Sequence, residues 1–244
     1  MMGELINIPW GQEKVTTTTK REHPLGAMGF TPDGRCFRWA LAGEAIGAGQ
    51  LVMQKAPGST SHDSDVPTTA ASVGATTITV TPAGGAITVD QYEDGVIFIN
   101  DVDGEGHMYA IRSHPAADAA ASVVLTLHET VREALTSSSQ SGLVENDYKD
   151  VEIYDADDID GPALGVAPTE ISNDEYFWLQ TRGRAAVLIQ GTVVIGDAVE
   201  ASQTTDGAIC LHDVSANTDQ SPVGVVASVV AATTEYGYVH LNIA

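Results

Sequence analysis

A chain of 244 residues with 33 Asp and Glu against 11 Lys and Arg carries a formal charge of −22. A body this acidic repels phosphate backbones and anionic lipid, which argues against nucleic-acid and membrane partners. The hydrophobic fraction of 43% can fill one large core or two small ones, and no apolar run approaches the ~20 residues of a membrane-spanning helix.

The acidity is uneven. Residues 1–55 hold six basic and five acidic residues, a balance of +1, which leaves −23 on the remaining 189. This near-neutral segment is the natural candidate for contact with a partner surface. Its first residues lack a basic leader followed by an apolar stretch, so no secretory signal is expected and folding in a cytoplasm is. Within it Ile6, Ile8 and Trp10 alternate as a strand edge would, before a Thr-rich run from Val15 to Thr19. The pattern predicts an extended arm laid on another subunit, with a disordered tail as the alternative.

Further along, Pro32-Asp33-Gly34 is a turn signal between two apolar runs, and it predicts a hairpin from Phe30 to Trp39. Phe37 and Trp39 then share one face, with Cys36, Arg38 and Ala40 on the other. The glycines from Gly43 to Gly49 lack the ending of a phosphate-binding loop. A polar stretch opening at Ala56 marks a boundary or a long surface loop.

Next come the runs Thr77–Thr81 and Ala86–Val89, read as a hairpin around Pro82-Ala83-Gly84-Gly85. Val96–Ile99 and His107–Ile111 predict a second hairpin, and Ser122–His128 a further strand. Glu129–Leu135 carries a weak helical spacing through Val131 and Leu135. The Ser-rich stretch Thr136–Gly142 reads as a connector.

The last eighty residues alternate short β-branched and aromatic runs with Gly and Asp turns, the pattern of a small antiparallel barrel or sandwich. One pattern recurs after about sixty residues, from Gly165 to Trp178 and again from Gly224 to Tyr238, with Trp178 answering to Tyr238. The predicted class is mainly β, with antiparallel barrel or sandwich modules and an extended N-terminal arm. Three segments are expected: 1–55 as arm and contact region, 56–142 as a central β region, and 143–244 as a barrel-like module.

Chemistry is sparse. The seven histidines show no metal-protease spacing, and no nucleophile-elbow motif is present. Pairs of carboxylates are too abundant among 33 to discriminate a glycosidase. Asp101-Val102-Asp103-Gly104-Glu105 departs from a calcium loop, with Arg112 at the twelfth position. Asp155, Asp157, Asp158 and Asp160 read first as a solvated loop, with a divalent cation at a subunit interface as the sharper alternative. Cys36 and Cys210 read as buried free thiols. The aromatics, including Trp39, Tyr109, Trp178, Tyr236 and Tyr238, are core or interface anchors, or else a sugar-stacking platform. No enzyme activity and no cofactor are expected.

Three stretches carry a family resemblance: His23 to Val52, Thr76 to Ala116, and Glu175 to Ile243. In that order they resemble the opening, middle and C-terminal β-module of tailed-bacteriophage virion structural proteins, of the capsid decoration or head-stabilising (cement) type. The resemblance implies a protein made in the host cytoplasm and placed on the outer surface of the virion. There it would bind the major capsid protein at junctions between capsomers and resist internal DNA pressure. It also implies a homo-oligomer, with a homotrimer the expected form. Together with the charge segregation, it points the shell contact at Trp10, Lys20, Arg21, Arg35, Arg38 and Trp39. A phage fibre or surface lectin is the alternative, and a polysaccharide-degrading enzyme stands third. A shell-forming capsid protein would call for a long amphipathic helix, which the chain lacks.

Overall fold

The computed structural model describes residues 6–18, 23–56, 58–159, 161–212, 221–230 and 232–243. The chain runs through β1 (Ile6–Asn7), β2 (Met28–Phe30), β3 (Cys36–Leu41) and β4 (Leu51–Met53). A short helix α1 (Thr60–Asp63) precedes β5 (Val66–Pro67), β6 (Thr77–Val80), β7 (Val96–Asp101), β8 (Met108–Ser113), β9 (Val123–Leu127) and β10 (Gln140–Val144). Then follow β11 (Glu152–Ile153), β12 (Ala163–Val166), β13 (Tyr176–Ile189), β14 (Ala198–Ala201), β15 (Ile209–Leu211), β16 (Gly224–Val226) and β17 (Glu235–Asn242). The protein is nearly all β, as its composition requires. No helix among the described residues is long and apolar enough to cross a membrane.

Two compact units emerge, and they do not follow the three successive segments read from the sequence. One combines residues 1–56 with 147–244, and the other is 57–146. The reason is strand pairing: β3 lies antiparallel to the first half of β13, with Trp39 opposite Trp178, so the near-neutral segment is built into the C-terminal sheet.

In the larger unit β13 is the organising strand. Its fourteen residues join what the sequence presents as two runs, one ending at Gln180 and the other starting at Val187. A bulge between Gln180 and Arg182, with Gly183 at φ 89°, turns the strand from its β3 partner towards β17. Its first half is covered on both faces. Phe177 and Leu179 pack with Ala40 and Val52, whereas Trp178 packs with Ile8, Phe37 and Trp39. Its second half closes a five-stranded barrel in the order β13-β15-β14-β16-β17, with Val187, Ile189, Val199, Ile209 and Val239 inside. All neighbours are antiparallel except β13 and β15.

Residues 6–18, expected on another subunit, pack on the sheet of their own chain. β1 pairs with β2, Ile8 is buried against the tryptophans, and Thr17 bridges to Tyr176. The Pro32-Asp33-Gly34 turn forms as expected, with Phe30 opposite Cys36 and Gly34 at φ 81°.

The smaller unit is a curled antiparallel sheet in the order β5-β10-β7-β8-β9-β6, whose ends meet where Thr68 bridges to Val80. The hairpin of β7 and β8 and the strand β9 form where the sequence places them. Three expectations are corrected. Ala86–Val89 does not pair with β6, because β9 and residues 67–69 occupy both edges of that strand; Ile87 bridges to Ala117 instead. Glu129–Leu135 is not helical: Val131 and Leu135 are buried, but they pair with residues 71–75. The Ser-rich connector ends in β10, the strand between β5 and β7. Ser139 and Ser141 are buried with their hydroxyls satisfied, that of Ser139 donating to the Asp103 carbonyl (2.8 Å) and that of Ser141 to the Val66 carbonyl (3.2 Å), while Ser137 and Ser138 stay exposed.

Gly142 shows how tightly α1 rests on β10. A Cβ there would lie 2.2 Å from the Asp63 carbonyl oxygen and 2.3 Å from the Phe98 ring. Gly142→Ala is expected to destabilise this unit by about 2–3 kcal/mol through overpacking. Urea unfolding checks this: the midpoint should fall with no change in slope.

One local device repeats in both units. Ile46 with Ile171, Val193 with Val230, Ala71 with Leu135, and Ile87 with Ala117 form reciprocal bridges, each N–H donating to the other's carbonyl. In the larger unit these four residues each stand five positions before a strand: Ile46 before Leu51, Ile171 before Tyr176, Val193 before Ala198, Val230 before Glu235. Three positions after the first three of these come Gly49, Asp174 and Gly196, all at positive φ, where Gly and Asp are favoured. The sixty-residue recurrence records two of these clasps. Trp178 and Tyr238 are nevertheless not equivalent, since the first is core and the second lies on the outer face.

Candidate interaction face

The outward side of the barrel differs from the rest of this acidic chain. Along β13 the outward residues are Arg182, Arg184, Ala186 and Leu188; opposite them on β17 stand Asn242, His240, Tyr238 and Tyr236. Val225 of β16 flanks His240. No carboxylate occurs among these nine positions. Tyr236 and Tyr238 are exposed at 58% and 38%, and the Tyr238 and His240 rings meet edge to face at 5.7 Å. Exposed aromatics beside arginines mark contact surfaces rather than solvated ones.

At one end this face opens into a cleft of about 450 Å³ lined by Lys14, Arg35, Gln180, Arg184 and Tyr236. Small apolar residues complete the lining, and again no carboxylate is among it. Lys14 enters from the one-turn 3-10 helix Gln12–Lys14. Gln180 is buried, and its Nε2 donates to the Arg184 carbonyl (2.8 Å), holding the bulge that carries Arg184. Tyr236 lies against Gly49, where a Cβ would come within 2.7 Å of the ring. The ring thus rests close on backbone there, while the residue as a whole stays exposed.

Arg35 is a clamp. Its Nη2 donates to Glu13 Oε1 (3.1 Å), its Nε to Asp33 Oδ2 (2.9 Å), and its guanidinium lies 5.9 Å from the Trp10 ring centroid. Burial pushes the Glu13 carboxyl upward, but its hydrogen bonds from backbone N–H groups and Arg35 outweigh this and hold it below its ordinary value. Asp33 is lowered in the same way, its burial outweighed by the Thr31 hydroxyl and Arg35.

The residues expected to touch a shell are thus sorted. Trp10 is exposed and lies beside Arg35. Arg35 is engaged within the chain. Arg38 donates to the Gly26 carbonyl (2.8 Å) and lies over the Tyr148 ring, so it too holds its own fold. Trp39 is buried between Trp178 and Tyr176 and presents no surface. Lys20 and Arg21 lie outside the described residues. Sequence reasoning missed Lys14, Arg184 and His240. The available signal was the alternation of Arg184-Ala186-Leu188 and Tyr236-Tyr238-His240 without an acid, which becomes a surface only once β13 and β17 pair.

Other candidate chemistry resolves into structure. Asp155 accepts from the N–H groups of Asp157 (2.8 Å) and Asp158 (3.0 Å), closing its own turn, while Asp160 lies outside the described residues. Among the described residues no three His, Cys, Asp or Glu side chains converge as a metal site. His62 and His114 are buried around Tyr92: His62 Nδ1 meets the Tyr92 hydroxyl at 2.5 Å, and His114 Nε2 accepts from the Tyr92 backbone N–H at 2.9 Å. They satisfy a core rather than line a cleft. Both cysteines are free, and they are half-buried rather than buried as expected. Burial, with Glu200 nearby, pushes the Cys210 thiol up to about 11, which leaves it a poor nucleophile.

Searches against protein-family models, curated proteins and solved structures found no match to this chain.

Proposed function

We propose that this chain is a structural virion protein of a tailed bacteriophage, which decorates and stabilises the capsid from its outer surface by binding the major capsid protein. The carrying observation is the carboxylate-free face of β13, β17 and β16, aromatic and cationic, on a chain of net charge −22. A binding role needs such a surface on a rigid scaffold, and the barrel supplies the rigidity. The order of the three resembling stretches supplies the identity of the partner. Binding rather than catalysis accords with tyrosines and histidines that serve as core or surface contacts.

The test is co-sedimentation of the purified protein with shells lacking it. Saturable binding at a fixed ratio to major capsid protein, with raised heat resistance of the shell, is expected. No binding to shells would overturn the reading.

A glycan-binding role, as in a fibre or surface lectin, is the second reading. It is favoured by the exposed Tyr236 and Tyr238, which offer ring faces to a sugar. An isolated protein that binds glycan arrays and ignores shells would select it.

A further inference from the structure

We infer that the cleft lined by Lys14, Arg184 and Tyr236 is a carboxylate-binding site that takes an acidic peptide segment of the partner protein, a specification that rests on the decoration reading. Acids outnumber bases three to one in this chain, so a cation would ordinarily find an acid nearby. Yet neither Lys14 nor Arg184 makes an ion pair among the described residues. Both face one cavity, and that cavity excludes acids from its lining. Two unpaired cations converging on a concave surface attract an anion and strengthen its hold where solvent is reduced.

The rest of the lining selects what carries the anion. Val166, Ala167, Pro168, Ala185 and Ala186 offer no side-chain hydrogen bond, and the Gln180 amide is committed to backbone carbonyls. A saccharide would lay those of its hydroxyls that face this apolar wall where no side chain can meet them, which costs binding. A glutamate or aspartate on an apolar stretch of peptide suits the site: its carboxylate meets Lys14 and Arg184, and its neighbours pack on the alanines and the fixed Tyr236 ring. Arg35, engaged by Glu13 and Asp33, braces the wall without competing for the ligand.

The experiment is calorimetric titration of the full chain with a capped hexapeptide alternating glutamate and leucine, and with its glutamine counterpart. The acidic peptide should bind at least about ten-fold more tightly, a difference of 1.4 kcal/mol. Lys14→Glu with Arg184→Glu should remove that difference, while Arg112→Glu, an exposed charge change in the other unit, should leave it within about two-fold. Raising salt from about 50 mM to about 500 mM should weaken the acidic peptide alone. Equal binding of the two peptides, no binding of either, or an equal loss in Arg112→Glu would overturn the site. Titration with an oligouronate distinguishes a sugar ligand, and its tighter binding would also overturn it. Shell binding by wild type, with neither peptide bound, refutes the cleft and leaves the decoration reading; peptide binding without shell binding does the reverse.

Discussion

Trp178→Ala is expected to destabilise the larger unit by about 3–5 kcal/mol, the cost of emptying a buried aromatic site. Trp178 is only 5% exposed, and its ring sits 4.9 Å from that of Trp39 and 5.2 Å from that of His23. It also closes over Gly29, where an added Cβ would lie 2.9 Å from the indole and 2.6 Å from Ile8. The cavity left by alanine therefore opens beneath the N-terminal segment that carries Trp10 and Lys14. Urea unfolding should show the loss as a lower midpoint. Acidic-peptide affinity should fall as well, although both cations remain in the chain, because Lys14 is no longer held in the cleft that Arg184 lines. An affinity unchanged in the still-folded variant would show that the segment is positioned by other contacts.

Arg35→Ala is expected to cost about 3 kcal/mol, since removing one member of a buried pair strands the other. Glu13 is 4% exposed, and beside backbone N–H groups it has Arg35 as its cationic partner, through Oε1. The pH dependence follows from the lowered carboxyls of Glu13 and Asp33. A carboxyl held below its unfolded value contributes stability in full above that value and loses it as pH falls through the folded one. The contribution should therefore be intact above the ordinary values of 4.5 for Glu13 and 3.8 for Asp33, and decline at more acid pH. In Arg35→Ala that part of the acid dependence should shrink. Denaturant unfolding between about pH 7 and pH 3 measures it, and an identical pH profile in the variant would refute the clamp. Arg35→Lys, which keeps charge but not the forked geometry, should recover only part of the loss.

The elements legible in the sequence were those whose signal is local. The Pro32-Asp33-Gly34 turn, the β7–β8 hairpin and strand β9 all rest on φ preference or period-two alternation within a few residues. Misreadings arose where distant partners decide. Ala86–Val89 has strand chemistry, but both edges of β6 are already occupied. Ser139 and Ser141 look like a linker, yet carbonyls of Asp103 and Val66 satisfy their hydroxyls inside the fold. Trp39 reads equally as a surface anchor or as core until Trp178 pairs opposite it.

By itself, then, the sequence determined a mainly β protein with a C-terminal barrel and a surplus of acid, because backbone propensity and net charge are properties of residues and short windows. Only the tertiary structure decided that the near-neutral segment joins the C-terminal sheet, and that Arg35 and Arg38 hold the fold. It alone brought Lys14, Arg184 and Tyr236 to one cleft. Those three stand at positions 14, 184 and 236. Their meeting depends on the pairing of β13 with β17 and on the burial of Ile8 against Trp178, contacts that no local pattern encodes.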